Sequence, residues 1–293
     1  MIIRPPDINR EIVLAPGQKI SLVSRIMRNF FRLLLTLGTC CPAVQAAVLW
    51  TDNFNTANTT NFDAAPLAGR LSGSEAGSTY LRSFGAQQHI SNNQLLLPAG
   101  DNGVRFEIAA NDPTAGAADR FDWAAGSAGT LMLGAGGFVV SFDWTPVENT
   151  LGDWVSFQVG TINADNGNLT NDDYGILFRN NGGTERFDSP VNLGAGGTFT
   201  ASAGGVVRRV EIAYAFSSFA DGSTVTATSK VDGIQVASDN FTWDGNGGAM
   251  RMELGHNAAN VSIDNLTIST IPEPAGAALA GLGLLGLVLR RRR

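Results

Sequence analysis

Cysteine is nearly missing from this 293-residue chain, and the two present, Cys40 and Cys41, are neighbours in the apolar stretch "FRLLLTLGTCCPAVQAA". If that stretch is removed, the remaining chain contains no cysteine. A disulfide framework, a thiolate zinc site and a cysteine nucleophile are then excluded together. Histidine is almost as scarce, with His89 and His256 the only two. Both are read in turn-like polar contexts, and no G-x-S-x-G elbow accompanies them, so a serine triad has no basis. Charge is sparse at 16% and uneven. Between Ala47 and Ile271 there are 10 basic against 23 acidic residues, a net charge of −13 that repels phosphate backbones, so nucleic acid is not an expected partner. Convincing helical periodicity is missing from the same region. Glycine is plentiful at 35 residues, and Asn, Thr, Ser and Asp supply the polar bulk. That mixture of turn formers with 44% hydrophobic residues describes an all-β chain with ample core.

The N-terminal stretch has the layout of a secretory signal. Arg28 and Arg32 form a positive region, Leu33 to Leu37 begin a short apolar run, and Val44-Gln45-Ala46 places small residues before a cleavage point. Cleavage is expected between Ala46 and Ala47. The 26 residues ahead of Met27 have no place in such a signal, so Met27 is the expected start. A rival reading takes "LGTC" as a lipoprotein signal acylating Cys40, but Gly38 and Thr39 fit it imperfectly.

At the other end, Ala275 to Leu289 is uncharged and rich in Ala, Gly and Leu. As a helix, its 15 residues would extend roughly 22 Å, somewhat short of a hydrocarbon core of about 30 Å. No polar face interrupts it, and Arg290, Arg291, Arg292 and Arg293 follow as a stop-transfer cluster. A single transmembrane helix is therefore expected, with the arginines cytoplasmic and the preceding chain outside, as the leader also demands. "GLGLLG" (281–286) matches a dinucleotide fingerprint by letter only, since the required strand, helix and acidic residue do not surround it.

The sequence Pro272-Glu273-Pro274, then a short Gly/Ala/Leu span, then terminal arginines, resembles the PEP-CTERM sorting signal of Gram-negative bacteria. The resemblance implies processing by an exosortase, a membrane-embedded cysteine protease, and delivery to the cell surface or an extracellular polysaccharide matrix. The chemistry agrees: two prolines fix φ and forbid helix, which holds Ile271 to Pro274 extended, a form a protease can bind.

Between these ends, period-2 alternation recurs. "FVVSFDWTP" sets Phe138, Val140, Phe142 and Trp144 on one face, "DWVSFQVG" sets Val155, Phe157 and Val159, and "VVRRVEIAYAF" sets Val210, Ile212, Tyr214 and Phe216. "GVRFEIA", "YGILFRN", "MRMELG" and "VSIDNLTIS" repeat the pattern at shorter length. "KVDGIQV" contains Asp232-Gly233, a strong hairpin signal. "LGAGGF" and "LGAGGT", at Leu133 and Leu193, each read as a glycine turn before a strand. The expected fold is an antiparallel two-sheet jelly-roll sandwich. "VLWTDNFN", "ISNNQLLL", "VDGIQV" and "VSIDNLTIS" resemble the opening, early, central-hairpin and closing segments of concanavalin-like or laminin-G-like domains, a fold shared by many functions.

Candidate chemistry is thin. "ERFD" offers Glu185 and Asp188, but residues three apart point to opposite faces of a strand, so this reads as a solvated turn and not a glycosidase pair. "NADNGNLTNDD" packs Asp165, Asp172 and Asp173 among asparagines, hard oxygen donors suited to calcium, although not in an EF-hand pattern. Of the five tryptophans, Trp50, Trp123, Trp144, Trp154 and Trp243, Trp144 shares the register of core phenylalanines and reads as core. The chain is thus divided into an extension and signal (1–46), a β-sandwich (47–269) and a sorting signal (270–293). The expectation is a non-catalytic binding or structural protein, anchored in the inner membrane as a precursor, with exosortase and polysaccharide as partners. A secreted polysaccharide-active enzyme on the same fold is the alternative, and a plain membrane-anchored surface protein the third.

Overall fold

The computed structural model describes residues 46–55, 80–84, 89–97, 104–108, 122–147, 153–162, 173–188, 191–243, 249–257 and 261–272. These belong to the compact unit Gln45–Pro274. In chain order the elements are β1 (Val48–Asp52), β2 (Tyr80–Phe84), β3 (His89–Ser91), β4 (Gln94–Leu97), β5 (Val104–Ile108), α1 (Gly126–Gly134), β6 (Gly137–Thr145), β7 (Trp154–Ile162) and β8 (Tyr174–Arg179). They continue with β9 (Gly183–Asp188), β10 (Val191–Thr198), β11 (Arg208–Ala215), β12 (Thr224–Val231), β13 (Ile234–Thr242), β14 (Ala249–Asn257) and β15 (Val261–Thr270).

The strands form two antiparallel sheets. The first runs β13-β12-β11-β6-β15-β4-β3, with β1 also on β15; the second runs β10-β9-β8-β7-β14-β5-β2. β15 is the hinge of the first sheet. One of its edges pairs with β6, and the other is shared end to end by β4 at Val261–Ile263 and β1 at Leu266–Ser269. First and last strands therefore lie side by side.

The alternation read from sequence sorts residues as expected. Phe138, Val140, Phe142, Trp144, Val155, Phe157, Val159, Val210, Ile212 and Tyr214 are fully buried between the sheets, and Phe216 nearly so. Each buried side chain of this size contributes about 1.5–3 kcal/mol, so the two facing rows supply much of the driving force. Aromatics concentrate at one end. Phe138 stacks on Tyr214 (centroids 4.8 Å apart) and Tyr174 stacks on Phe241 (5.0 Å), while Trp243 meets Phe241 edge-on at 5.2 Å. These contacts run from β8 across to β6, β11 and β13 and so tie the sheets together.

Several expectations need correction. A helix, α1, stands where no helical period was legible. It has nine residues, three of them glycine, and is held by tertiary packing: Ala128 and Met132, one turn apart, are buried, while Leu131 and Leu133 face solvent. The two glycine motifs differ as well. "LGAGGF" carries the end of α1 into β6, whereas "LGAGGT" lies inside β10. "ISNNQLLL" is not one strand but the β3–β4 hairpin, turned by Asn92 and Asn93 at φ 52° and 61°. The Asp232-Gly233 turn forms as expected, with φ 52° and 78°, but its hairpin lies at a sheet edge and not at the centre. "ERFD" is part of β9, and both histidines belong to strands, β3 and β14.

"VSIDNLTIS" contains the most instructive departure. Val261 and Ile263 point inward, and so do Leu266 and Ile268, which breaks simple alternation. Asn265, at φ 49°, is the extra residue of a bulge against β6, between Asp264↔Asp143 and Thr267↔Ser141. Asparagine tolerates this conformation better than most residues. The bulge leaves Asp264 opposite Asp143. Arg209 Nη1 and Asn265 Nδ2 donate to Asp143 at 3.0 and 2.8 Å. The Asp264 carboxyl is held above the ordinary aspartate range, chiefly by desolvation and then by Asp143 and Asp52, against a bond from Asn265 N. A raised folded-state value means the group favours folding only when protonated, so ionised Asp264 destabilises at neutral pH. Asp264→Asn is expected to melt above the parent at neutral pH, by the roughly 0.2–1 kcal/mol of a cross-strand charge pair. The gain should shrink as pH falls through the raised value and vanish below the unfolded one. An equal offset at acid and neutral pH would rule this origin out.

Candidate functional site

The face of the second sheet turned away from the core carries the polar groups that stand out. On β7, Val155, Phe157 and Val159 point into the core, so Trp154, Ser156 and Gln158 point the other way. Such a face is ordinarily solvated. Here Ser156 is 0% exposed, Gln158 1% and Glu253, on neighbouring β14, 0%.

Register places these groups in rows across the strands. One row runs Glu107–Glu253–Gln158–Gly175–Phe187 over β5, β14, β7, β8 and β9. The next runs Arg105–Gly255–Ser156–Leu177–Glu185, and a third brings Asn257, Trp154, Arg179 and Gly183 together. Arg179 Nε donates to Glu185 Oε2 at 3.1 Å, and its Nη2 donates to the same oxygen. Gln158 Nε2 donates to Ser156 Oγ at 3.3 Å. Gln158 Oε1 is buried and accepts no hydrogen bond within the protein. A buried amide oxygen left in that state costs about 1–3 kcal/mol, which a buried water would recover. Glu107 and Glu253 occupy directly paired positions of β5 and β14, on the same row as Gln158.

Sequence reading missed this face because Ser156, Gln158 and Glu253 occupy the alternate positions that ordinarily meet water. The residues it did single out are distributed as follows. Asp173 is buried just ahead of β8, its amide bonded to Val159 O at 3.1 Å, while Asp165 and Asp172 lie outside the described residues. Among the described residues, no group of three His, Cys, Asp or Glu could hold a metal ion. Glu185 is engaged by Arg179 within β9 and does not sit in a solvated turn. His256 lies on β14, paired in register with Val155 and Val104. Trp50, Trp123, Trp144 and Trp243 are buried and unavailable as sugar platforms; Trp154, half-buried, is on the polar face. Ala46 and Ala47 open the described body and Pro272 closes it, exposed; Glu273, Pro274, Arg290, Arg291, Arg292 and Arg293 lie outside it. No described helix is long and apolar enough to cross a membrane, and Ala275 to Leu289 is not among the described residues.

Comparison with known proteins finds the PEP-CTERM protein-sorting motif at residues 270–293. No curated protein matches the chain in sequence. Among solved structures, the potassium-bound Emp46p carbohydrate recognition domain is 9% identical over 65% of this chain and 88% of that one, with a TM-score of 0.42. Alginate lyase Aly36B is 12% identical over 64% and 84%, TM-score 0.35. A structure from work on endo-acting O-glycanases of human gut microbiota that initiate mucin breakdown is 9% identical over 76% and 99%, TM-score 0.46. At such scores these likenesses say nothing about ligand or chemistry here.

Proposed function

We propose that this chain, carrying the PEP-CTERM sorting motif at residues 270–293, is an exported exosortase substrate whose jelly-roll sandwich binds glycan without cleaving it. In this reading the leader is removed after Ala46. Ala275 to Leu289 then holds the precursor in the inner membrane, and exosortase cleavage frees the body to the cell surface or extracellular polysaccharide. The reading of a binding site rests on the second sheet's outer face. Half-buried Trp154 and the partly exposed Arg179–Glu185 pair lie there in adjacent register, one aromatic beside charged hydrogen-bonding groups, a combination suited to hydroxyl-rich ligands, with Ser156, Gln158 and Glu253 buried around them.

One observation favours the alternative, a polysaccharide-active enzyme. Glu107 and Glu253 are paired in register across β5 and β14, and glycoside cleavage needs two carboxylates about one bond. Affinity electrophoresis of the purified protein through gels holding neutral, uronate-rich or amino-sugar polysaccharides separates the readings. Retarded migration with at least one polymer, weakened about tenfold by Trp154→Ala, and no new reducing ends is the expected result. Unretarded migration with every polymer would remove the glycan reading. Reducing ends that appear with the parent and disappear with Glu253→Gln would replace binding by catalysis.

A further inference from the structure

The two ends of the sandwich body meet at one corner. Ala47 N donates to Thr270 Oγ1 at 2.9 Å, Thr270 N donates to Ala47 O at 2.8 Å, and Ile271 N donates to Gly137 O at 3.2 Å. The expected leader cleavage point and the start of the sorting signal are thus side by side where β6 begins. α1 ends three residues before Gly137, and it presents Leu131 (48% exposed) and Leu133 (39%) near that corner; Val48, 62% exposed, lies at the same end of β1, level with Ser269 and Val139.

Charge has been withdrawn from the same place. No Asp, Glu, Lys or Arg occurs from Ala124 to Phe142, from Ala47 to Thr51, or from Asn265 to Ile271, in a region whose net charge is −13. Among the described residues, three other acidic groups lie toward this end. Asp122 Oδ1 is turned inward to Ala124 N and Met250 N, Asp173 is buried, and Asp221 sits beyond β11 toward the β12–β13 edge.

Chain length supplies the partner. Three residues, Pro272, Glu273 and Pro274, separate Ile271 from the apolar run that starts at Ala275. Fully extended, the step from Ile271 to Ala275 covers at most about 14 Å. While that run is in a bilayer, the corner carrying α1 stays within reach of the lipid headgroups. We infer that Leu131, Leu133 and Val48 form a lipid-contacting corner that rests on the membrane surface until the tail is cut. An uncharged, leucine-bearing corner gains from burial in the interfacial region, and placing the anionic remainder of the body away from anionic lipid removes a repulsion. On cutting, the covalent tether is lost, and a contact of this small size does not hold the body by itself.

This inference rests on the sorting reading above, and its test separates the two. The tail-bearing, leader-free protein, which then has no cysteine, is labelled with an environment-sensitive fluorophore at Leu131→Cys, Leu133→Cys or Ile234→Cys. Ile234 is 67% exposed and level in register with Phe142, roughly 17 Å along β6 from Gly137. The proteins are reconstituted into phosphatidylethanolamine–phosphatidylglycerol vesicles containing a headgroup-level quencher. Quenching severalfold stronger at Leu131→Cys and Leu133→Cys than at Ile234→Cys is expected, and in a Leu133→Cys label the added change Leu131→Asp should reduce it. Equal quenching at all three positions overturns the inference. Quenching that appears only with co-reconstituted exosortase reassigns the corner to a protein partner and overturns the lipid assignment. Protein that fails to float with the vesicles overturns the sorting reading, and the corner's role with it.

Discussion

Gly137→Ala will lower the stability of the sandwich by roughly 3–5 kcal/mol, seen as a melting temperature about 10 °C or more below the parent. Gly137 begins β6 at φ 137°, a backbone conformation that side-chain-bearing residues rarely adopt. A methyl group there would stand 1.9 Å from Tyr214 O and 2.9 Å from Ile271 Cδ1. Ile271 Cδ1 is a side-chain end and can turn aside, but Tyr214 O is backbone and cannot, because Tyr214 is paired with Phe138 in the ladder between β11 and β6. The clash would therefore push β6 away from β11 and loosen the corner where the ends of the body meet. Gly134→Ala, three residues earlier in α1, is the control, because a methyl group at that position would have nothing within 4 Å. If both variants melt together, close approach at β6 is not what makes Gly137 necessary.

Asp239→Ala is the second large loss, at about 3 kcal/mol. Asp239, on β13 of the first sheet, is buried between the layers. It accepts a hydrogen bond from Tyr174 Oη at 2.8 Å and an ion pair from Arg186, both residues of the second sheet. Tyr174 has its ionisation driven far above the ordinary phenol range, first by burial and then by Tyr214 and Asp239, so it remains a donor throughout the working pH range. Removing the carboxylate takes the acceptor from the tyrosine hydroxyl and the ion pair from Arg186, whose side chain is 30% exposed. Breaking a fully buried pair costs about 3–5 kcal/mol, and the partial exposure of Arg186 brings the figure to the lower end. Tyr174→Phe keeps the ion pair and should lose only about 1–2 kcal/mol. Chemical denaturation of both variants measures the difference. An Asp239→Ala loss no greater than that of Tyr174→Phe would show that the ion pair between the sheets contributes nothing.

The difference between these two sites and the sandwich core also explains how far sequence reading reached. Rows such as Phe138, Val140, Phe142 and Trp144 were legible because a strand's period of two projects directly onto burial. The turn at Asp232-Gly233 was legible because left-handed conformations select particular residues. α1 was not, since three glycines in nine residues give no helical preference and only packing of Ala128 and Met132 holds it. The face holding Gln158 and Glu253 was not, since a polar residue at an alternate position reads the same whether water or protein covers it.

What the sequence determined alone was local and periodic: a C-terminal sorting motif, an all-β body, the inward rows and the tight turns. These depend on residues within a few positions of one another, where composition and spacing act directly. Tertiary structure decided which strands became neighbours. It set Glu107 opposite Glu253, joined Asp239 to Arg186 across the layers, shifted β15 by one residue at Asn265, and brought Ala47 to Thr270. Each of those depends on long-range hydrogen-bond register and sheet packing, which no run of adjacent residues encodes.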